Sequence, residues 1–75
     1  MDRTEAEKSF RRIYPEKEVR IRENSELDKK HNIIEAAFPD GTFWFAVSDR
    51  MVSASYNSRS EVVKDYSRKY DKDER

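Results

Sequence analysis

The stretch GTFWFAV, residues 41–47, decides which folds are open to this chain. A strand with one solvent-exposed face alternates apolar and polar residues. This stretch does not, because residues 43–47 form an unbroken apolar run. Either other elements cover the second face of the strand, or that face stays exposed as an apolar surface. The chain has only 75 residues, and small domains bury a smaller fraction of their surface than large ones. Covering both faces of the strand is therefore demanding for this chain.

Composition indicates a single domain over residues 1–75, with frayed ends at 1–3 and 71–75. The chain has no cysteine, which excludes disulfides, cysteine-ligated zinc and cysteine nucleophiles. It has 16 basic and 16 acidic residues, so its formal net charge is zero. Chains that bind nucleic acid usually have a basic excess, because contacts with phosphates supply much of their affinity. Zero net charge therefore disfavours nucleic acid as a partner.

The N-terminal residues 1–5 are mostly polar, and no apolar run follows them. Signal peptides and membrane spans both require such a run. We therefore expect neither of them, and we expect a cytoplasmic protein.

A capping box, a hydroxyl residue followed three positions later by glutamate, predicts a helix near the N-terminus. Thr4 and Glu7 form this pattern, and the helix is predicted to cover Glu5–Tyr14. Its apolar side includes Ile13, and Pro15 ends it because the residue before proline avoids helical geometry.

A second capping box, Ser58 with Glu61, begins a helix near the C-terminus. The apolar stripe of this helix is formed by Val62, Val63, Tyr66 and Tyr70. We expect the helix to fray near Asp71, because residues 71–75 are all charged.

Between the helices, apolar patterns predict four strands. They cover Glu18–Glu23, Ile33–Phe38, Thr42–Ser48 and Met51–Tyr56. A polar loop over residues 24–31 joins the first two, and the turns at 39–41 and 49–50 join the others. The element order is α-β-β-β-β-α. The fold class is α+β, with an N-terminal and a C-terminal amphipathic helix packed on a small antiparallel meander sheet.

The register of the central hairpin decides which side chains share a face. A three-residue loop, Pro39-Asp40-Gly41, pairs Phe38 with Thr42 and places Glu35 on the core face. A register slipped by one residue would move Ile34, Ala36 and Phe38 onto the core face and would segregate apolar residues better. The turn favours the three-residue loop, because we expect a two-residue loop to require a backbone donor that Pro39 lacks.

In this register, an apolar patch centred on Trp44 stays exposed on the second face of the sheet. Its members are Ile34, Phe38, Trp44 and Met51. Exposed apolar patches usually mark interfaces, in which tryptophan and methionine are enriched. The preferred function is therefore a non-catalytic interaction or regulatory module that binds a protein partner, including itself as a homodimer. In the alternative arrangement, one helix covers each face and leaves no spare apolar surface.

A second hypothesis is weak or single-stranded nucleic-acid binding. The candidate contacts are Arg20, Arg22, Lys29 and Lys30. Basic groups beside sheet aromatics can hold single-stranded bases.

Residue patterns for catalysis and cofactor binding are missing from the sequence. The single histidine, His31, lies in a polar loop and is expected to be solvated. Gly41 is explained by its turn, so the chain has no glycine-rich loop for phosphate. Glu35 alone, on the predicted core face, is a weak indication of acid–base chemistry. We predict no enzymatic activity, no cofactor and no metal site.

Overall fold

The computed structural model describes residues 1–15, 17–49 and 51–73, with side chains described up to residue 66. The helices and strands are α1 Arg3–Ile13, β1 Arg20–Glu26, β2 Asn32–Phe38, β3 Gly41–Val47 and α2 Arg59–Asp73. The strands form one antiparallel sheet in the order β1-β2-β3. The predicted small α+β fold is confirmed, with three strands in place of the predicted four.

Helix α1 begins two residues before its predicted start, because Asp2 caps it and Thr4 does not. The Asp2 carboxylate accepts a hydrogen bond from the Glu5 backbone N–H at 2.8 Å. Aspartate is as good an N-cap as a hydroxyl residue, so both positions were suitable from sequence. The helix ends where Tyr14 donates its backbone N–H to the Phe10 carbonyl at 2.9 Å.

Helix α2 begins at the predicted cap. The Ser58 Oγ accepts from the Glu61 backbone N–H at 3.3 Å, and the Glu61 carboxylate accepts from the Asn57 N–H at 3.0 Å. Val62 and Tyr66 are buried beneath the helix. The predicted contribution of Tyr70 and the predicted fraying of 71–75 lie outside the part of the chain whose side chains the structure describes.

Strand β1 is displaced toward the C-terminus relative to its predicted bounds, and the loop that follows is shorter, at residues 27–31. The predicted alternation extends through Ile21, which packs on the core. A bulge then shifts the register between Ile21 and Glu23. Bulges of this kind add one residue to a strand and protect an exposed edge from further pairing.

The predicted fourth strand, 51–56, is an irregular segment that touches the edge of β3 at two isolated bridges. Val47 pairs with Val52, but Trp44 pairs with Tyr56 and not with Ser55, so the register shifts by one residue. The Ser53 hydroxyl accepts the Ala46 N–H at 2.9 Å, in place of a backbone acceptor. A serine side chain that bonds to the backbone competes with a strand ladder, which explains the interruption.

The predicted three-residue loop of the central hairpin is wrong, and the slipped register is the one observed. Phe38 pairs with Gly41, which leaves Pro39 and Asp40 as a two-residue turn. Proline suits the first corner of such a turn because the N–H at that corner makes no turn hydrogen bond. Gly41 is the first residue after the turn, and its φ is 154°, a conformation that glycine adopts most readily.

This register places one helix on each face of the sheet. The cluster under α1 contains Ala6, Phe10, Val19, Ile34, Ala36, Phe45 and Val47. The cluster under α2 contains Ile33, Ala46, Val62 and Tyr66. The apolar run of β3 is therefore shared between two cores, and the predicted alternative of three layers is confirmed.

The two cores are built differently. Under α1, the rings of Phe10, Tyr14, Phe38 and Phe45 form a connected aromatic group with centroids 5.1–6.4 Å apart. Such pairs contribute about 0.5–1.5 kcal/mol each beyond their buried area. At the other end of α1, the buried amides of Asn24 and Asn32 contact at 2.7 Å, and Asn24 also donates to the Arg3 carbonyl at 2.9 Å. This polar contact attaches the first turn of α1 to the β1–β2 hairpin.

Replacing Gly41 with alanine is expected to destabilise the protein by about 1–3 kcal/mol, the usual cost of a strained backbone conformation. The cost comes from φ and not from crowding, because an added Cβ would lie 3.5 Å from the Phe43 ring, an ordinary contact distance. Urea unfolding measures the effect, with Thr42→Ala as the exposed neighbouring control. Wild-type stability in Gly41→Ala would contradict the observed turn.

Candidate protein interface

The structure does not bring the four predicted interface residues together. Ile34 is fully buried beneath α1, and Phe38 packs against the Phe10 and Tyr14 rings on the same face. Trp44 lies on the opposite face, beneath α2. Met51 lies in the turn after β3, where 52% of its surface is exposed. The predicted patch depended on the three-residue loop, and it is dispersed by the observed register.

Trp44 is half-buried at the margin of the α2 core. It packs against the cluster of Ile33, Ala46, Val62 and Tyr66. Its backbone exchanges two hydrogen bonds with Tyr56, at 2.9 and 2.8 Å. Glu35, predicted on the core face, lies beside Trp44 on the α2 side and directly opposite Glu23. Trp44 is therefore mainly a structural residue that joins α2 and the 51–56 segment to the sheet.

The four basic residues of the nucleic-acid hypothesis also lie apart. Arg20 and Arg22 are exposed at the start of β1, and Lys29 and Lys30 are exposed in the loop beyond its other end. Seven residues of strand span about 20 Å. The structure therefore does not bring these charges together into one basic surface.

A groove between α1 and the turn after β3 holds the two large apolar side chains that are most exposed among the described residues. Ile13 is 56% exposed and Met51 is 52% exposed. The groove has a volume of about 80 Å³. Its lining consists of Ser9, Arg12, Ile13, Asp49, Met51 and Val52. We call it the Ile13–Met51 groove.

Each side of this groove is held in place by local bonds. The Met51 backbone accepts from the Ser48 N–H at 2.9 Å and donates to the Ser48 Oγ at 3.2 Å, which closes the turn. Ile13 is the last residue of α1. The Tyr14 ring, and not the Ile13 side chain, packs on Phe10 at a centroid distance of 5.1 Å. Ile13, predicted on the apolar side of the helix, is thereby left at the surface.

Charged side chains flank the groove on both sides. Arg12 and Asp49 are exposed, and neither takes part in an ion pair within the described ranges of the chain. A second, larger groove of about 470 Å³ adjoins it and shares Asp49 and Met51. Met51 therefore borders both grooves, with Arg12 and Asp49 beside it in the smaller one.

His31 is not the solvated residue that the sequence suggested, because only 16% of its side chain is exposed. Its Nδ1 lies 3.3 Å from Asp28 Oδ1, and its ring lies 5.4 Å from the Tyr66 ring. The same Asp28 oxygen accepts the backbone N–H groups of Lys30 and His31, at 2.6 and 2.9 Å. His31 thus helps to close the β1–β2 loop. No group of three histidine or acidic residues suited to a metal is found in the part of the chain that the structure describes.

A hydrogen bond between Tyr56 and Asp65 fastens the 51–56 segment to α2. The Tyr56 hydroxyl donates to Asp65 Oδ2 at 2.5 Å, beside an open groove of about 440 Å³. This bond to a carboxylate, together with burial and the negative charge of Asp65, raises the pKa of Tyr56 from 10.0 to about 12.

Comparison of the chain with protein-family models, curated proteins and solved structures gave no match. Within the described residues, neither helix has the length and apolar character needed to cross a membrane.

The Tyr56–Asp65 bond is expected to stabilise the fold only while Tyr56 is protonated. Because its folded pKa is raised, this contribution is complete below about pH 10 and is lost as the pH rises to about 12. The free energy of unfolding of wild type, compared with Tyr56→Phe, should therefore show a difference that shrinks over this interval. A difference that stays constant to pH 12 would show that Asp65 does not hold the proton on Tyr56.

Proposed function

We propose that this chain is a non-catalytic protein-interaction module and that its contact surface is the Ile13–Met51 groove. A single exposed apolar side chain is ordinary on a protein surface, but contiguous ones usually mark interaction sites. Here the two most exposed large apolar side chains of the described residues line the same groove. This coincidence carries the proposal.

The two exposed apolar side chains of the groove supply a part of the free energy that a specific contact needs. Complete burial of a side chain such as isoleucine or methionine stabilises by about 1.5–3 kcal/mol. Burying the exposed halves of Ile13 and Met51 therefore supplies part of a micromolar affinity, which corresponds to about 8 kcal/mol. Association also costs translational freedom, so flanking polar contacts are needed to complete the affinity. Arg12 and Asp49 are in place to make them.

The polar side chains elsewhere support a non-catalytic role. His31 and Asp28 close a loop, and Tyr56 and Asp65 fasten α2 to the segment that follows β3. Each of these groups has a structural partner within the fold. Binding at the groove does not require any of these hydrogen bonds to break.

Selection from a random peptide library on the immobilised chain tests this proposal. Peptides that contain apolar residues should be enriched, and Met51→Glu should weaken their binding at least about tenfold, because a charge would have to be desolvated in the contact. Met51→Leu keeps the apolar volume and should retain binding within about threefold. Ala54→Glu, an exposed site in the same segment but outside the groove, is the matched control.

Methyl NMR locates the contact in the same experiment. Enriched peptides should shift the Met51 and Ile13 methyl signals and leave the Trp44 indole signal in place. Peptides that shift Trp44 instead, and that bind Met51→Glu as tightly as wild type, would overturn the proposal in favour of the sheet face.

A further inference from the structure

We infer that the partner of the Ile13–Met51 groove is the same groove on a second copy of the chain. This inference rests on the proposed function and specifies its partner. The reason is that the groove carries a cation and an anion together, beside two exposed apolar side chains. Such a surface is complementary to itself.

The two charges come from different elements. Arg12 lies in the last turn of α1, and Asp49 lies in the turn after β3. Both line the same groove and both are exposed. Within the described residues, neither forms an ion pair or a hydrogen bond that would occupy its charged group. Each is therefore available to a partner.

A twofold axis between two copies pairs each of these charges with the opposite charge of the other copy. In a twofold interface, if one residue contacts a second residue across the axis, the reciprocal contact forms as well. Arg12 of each copy then faces Asp49 of the other, and Ile13 of each copy faces Met51 of the other. The result is an apolar centre with a charged rim, the usual arrangement of a small interface.

The overall charge favours a second copy over a partner of one sign. A strongly acidic partner would pair with Arg12 but would be repelled by Asp49, and a strongly basic partner would meet the reverse problem. The chain has a formal net charge of zero, so two copies approach each other without net repulsion.

Charge reversal tests the twofold pairing in a way that only this geometry predicts. Arg12→Asp alone places two like-charge contacts in the dimer, and so does Asp49→Arg alone. Each should raise the dissociation constant about tenfold or more. The double variant R12D/D49R restores both pairs with their signs exchanged, so it should dimerise within about threefold of wild type. Sedimentation equilibrium from about 10 µM to about 1 mM covers the affinity range of small interfaces.

Mixing the two single variants gives the sharpest result. A heterodimer of R12D with D49R contains two opposite-charge contacts, so the mixture should associate at least about tenfold more tightly than either variant alone. The matched control is a mixture of Arg20→Asp with Asp40→Arg, which carries the same net charges at exposed sites outside the groove. This control should associate no more tightly than wild type.

Three results would overturn the inference. The first is a wild-type chain that remains monomeric at about 1 mM. The second is a double variant that dimerises as weakly as the single variants. The third is a control mixture that associates as tightly as the mixture of R12D with D49R. A monomeric chain that still binds selected peptides through Met51 would overturn self-association and leave the proposed function intact. A chain that neither self-associates nor binds peptides through Met51 would overturn the inference and the proposed function together.

Discussion

The pairing of Phe38 with Gly41 is the constraint on which the rest of the structure depends. Because side chains alternate along a strand, this one pairing decides the face of every residue in β2 relative to β3. It aligns Ile34 with Phe45 on one face and Ile33 with Ala46 on the other. A shift by a single residue would mix the two sets and leave apolar side chains in solvent.

Two helices are then required, one for each face. Helix α1 covers the face with the phenylalanine rings, and α2 covers the face with Ile33 and Trp44. A small chain rarely builds two cores, because the buried area of each is limited. Here β2 and β3 contribute to both cores at once, so the residues of GTFWFAV are used on both faces. The sheet edge at β1 is polar and bulged, which limits further pairing there.

Sequence patterns predicted the two helices, the α+β class and the approximate positions of the three paired strands, since these depend on local periodicity and capping. They failed where competing local interactions were similar in strength. Better apolar segregation favours the observed register. The prediction of a three-residue loop assumed that a two-residue turn needs a backbone donor at Pro39, and the first corner of such a turn needs none. The 51–56 segment has a strand-like composition, and the Ser53 hydroxyl interrupts its ladder.

The candidate site was harder to predict than the fold. Ile13 follows Phe10 at helical spacing, and so does Tyr14, and only three-dimensional packing decides which of them enters the core. The aromatic ring fills the space beside Phe38 and Phe45, and Ile13 is displaced to the surface. Met51 was predicted at an interface for its apolar character. Its neighbours in the groove depend on how the turn at Ser48–Met51 packs against α1, which local sequence patterns do not specify.

The assignment of each helix to its own face is tested most directly by nuclear Overhauser contacts in solution. We expect contacts from the Trp44 indole to the Val62 methyl groups and from the Ile34 methyl groups to the Phe10 ring, with none between Ile34 and Val62. Contacts from both Trp44 and Ile34 to the same helix would contradict the two-residue turn and the separation of the two cores.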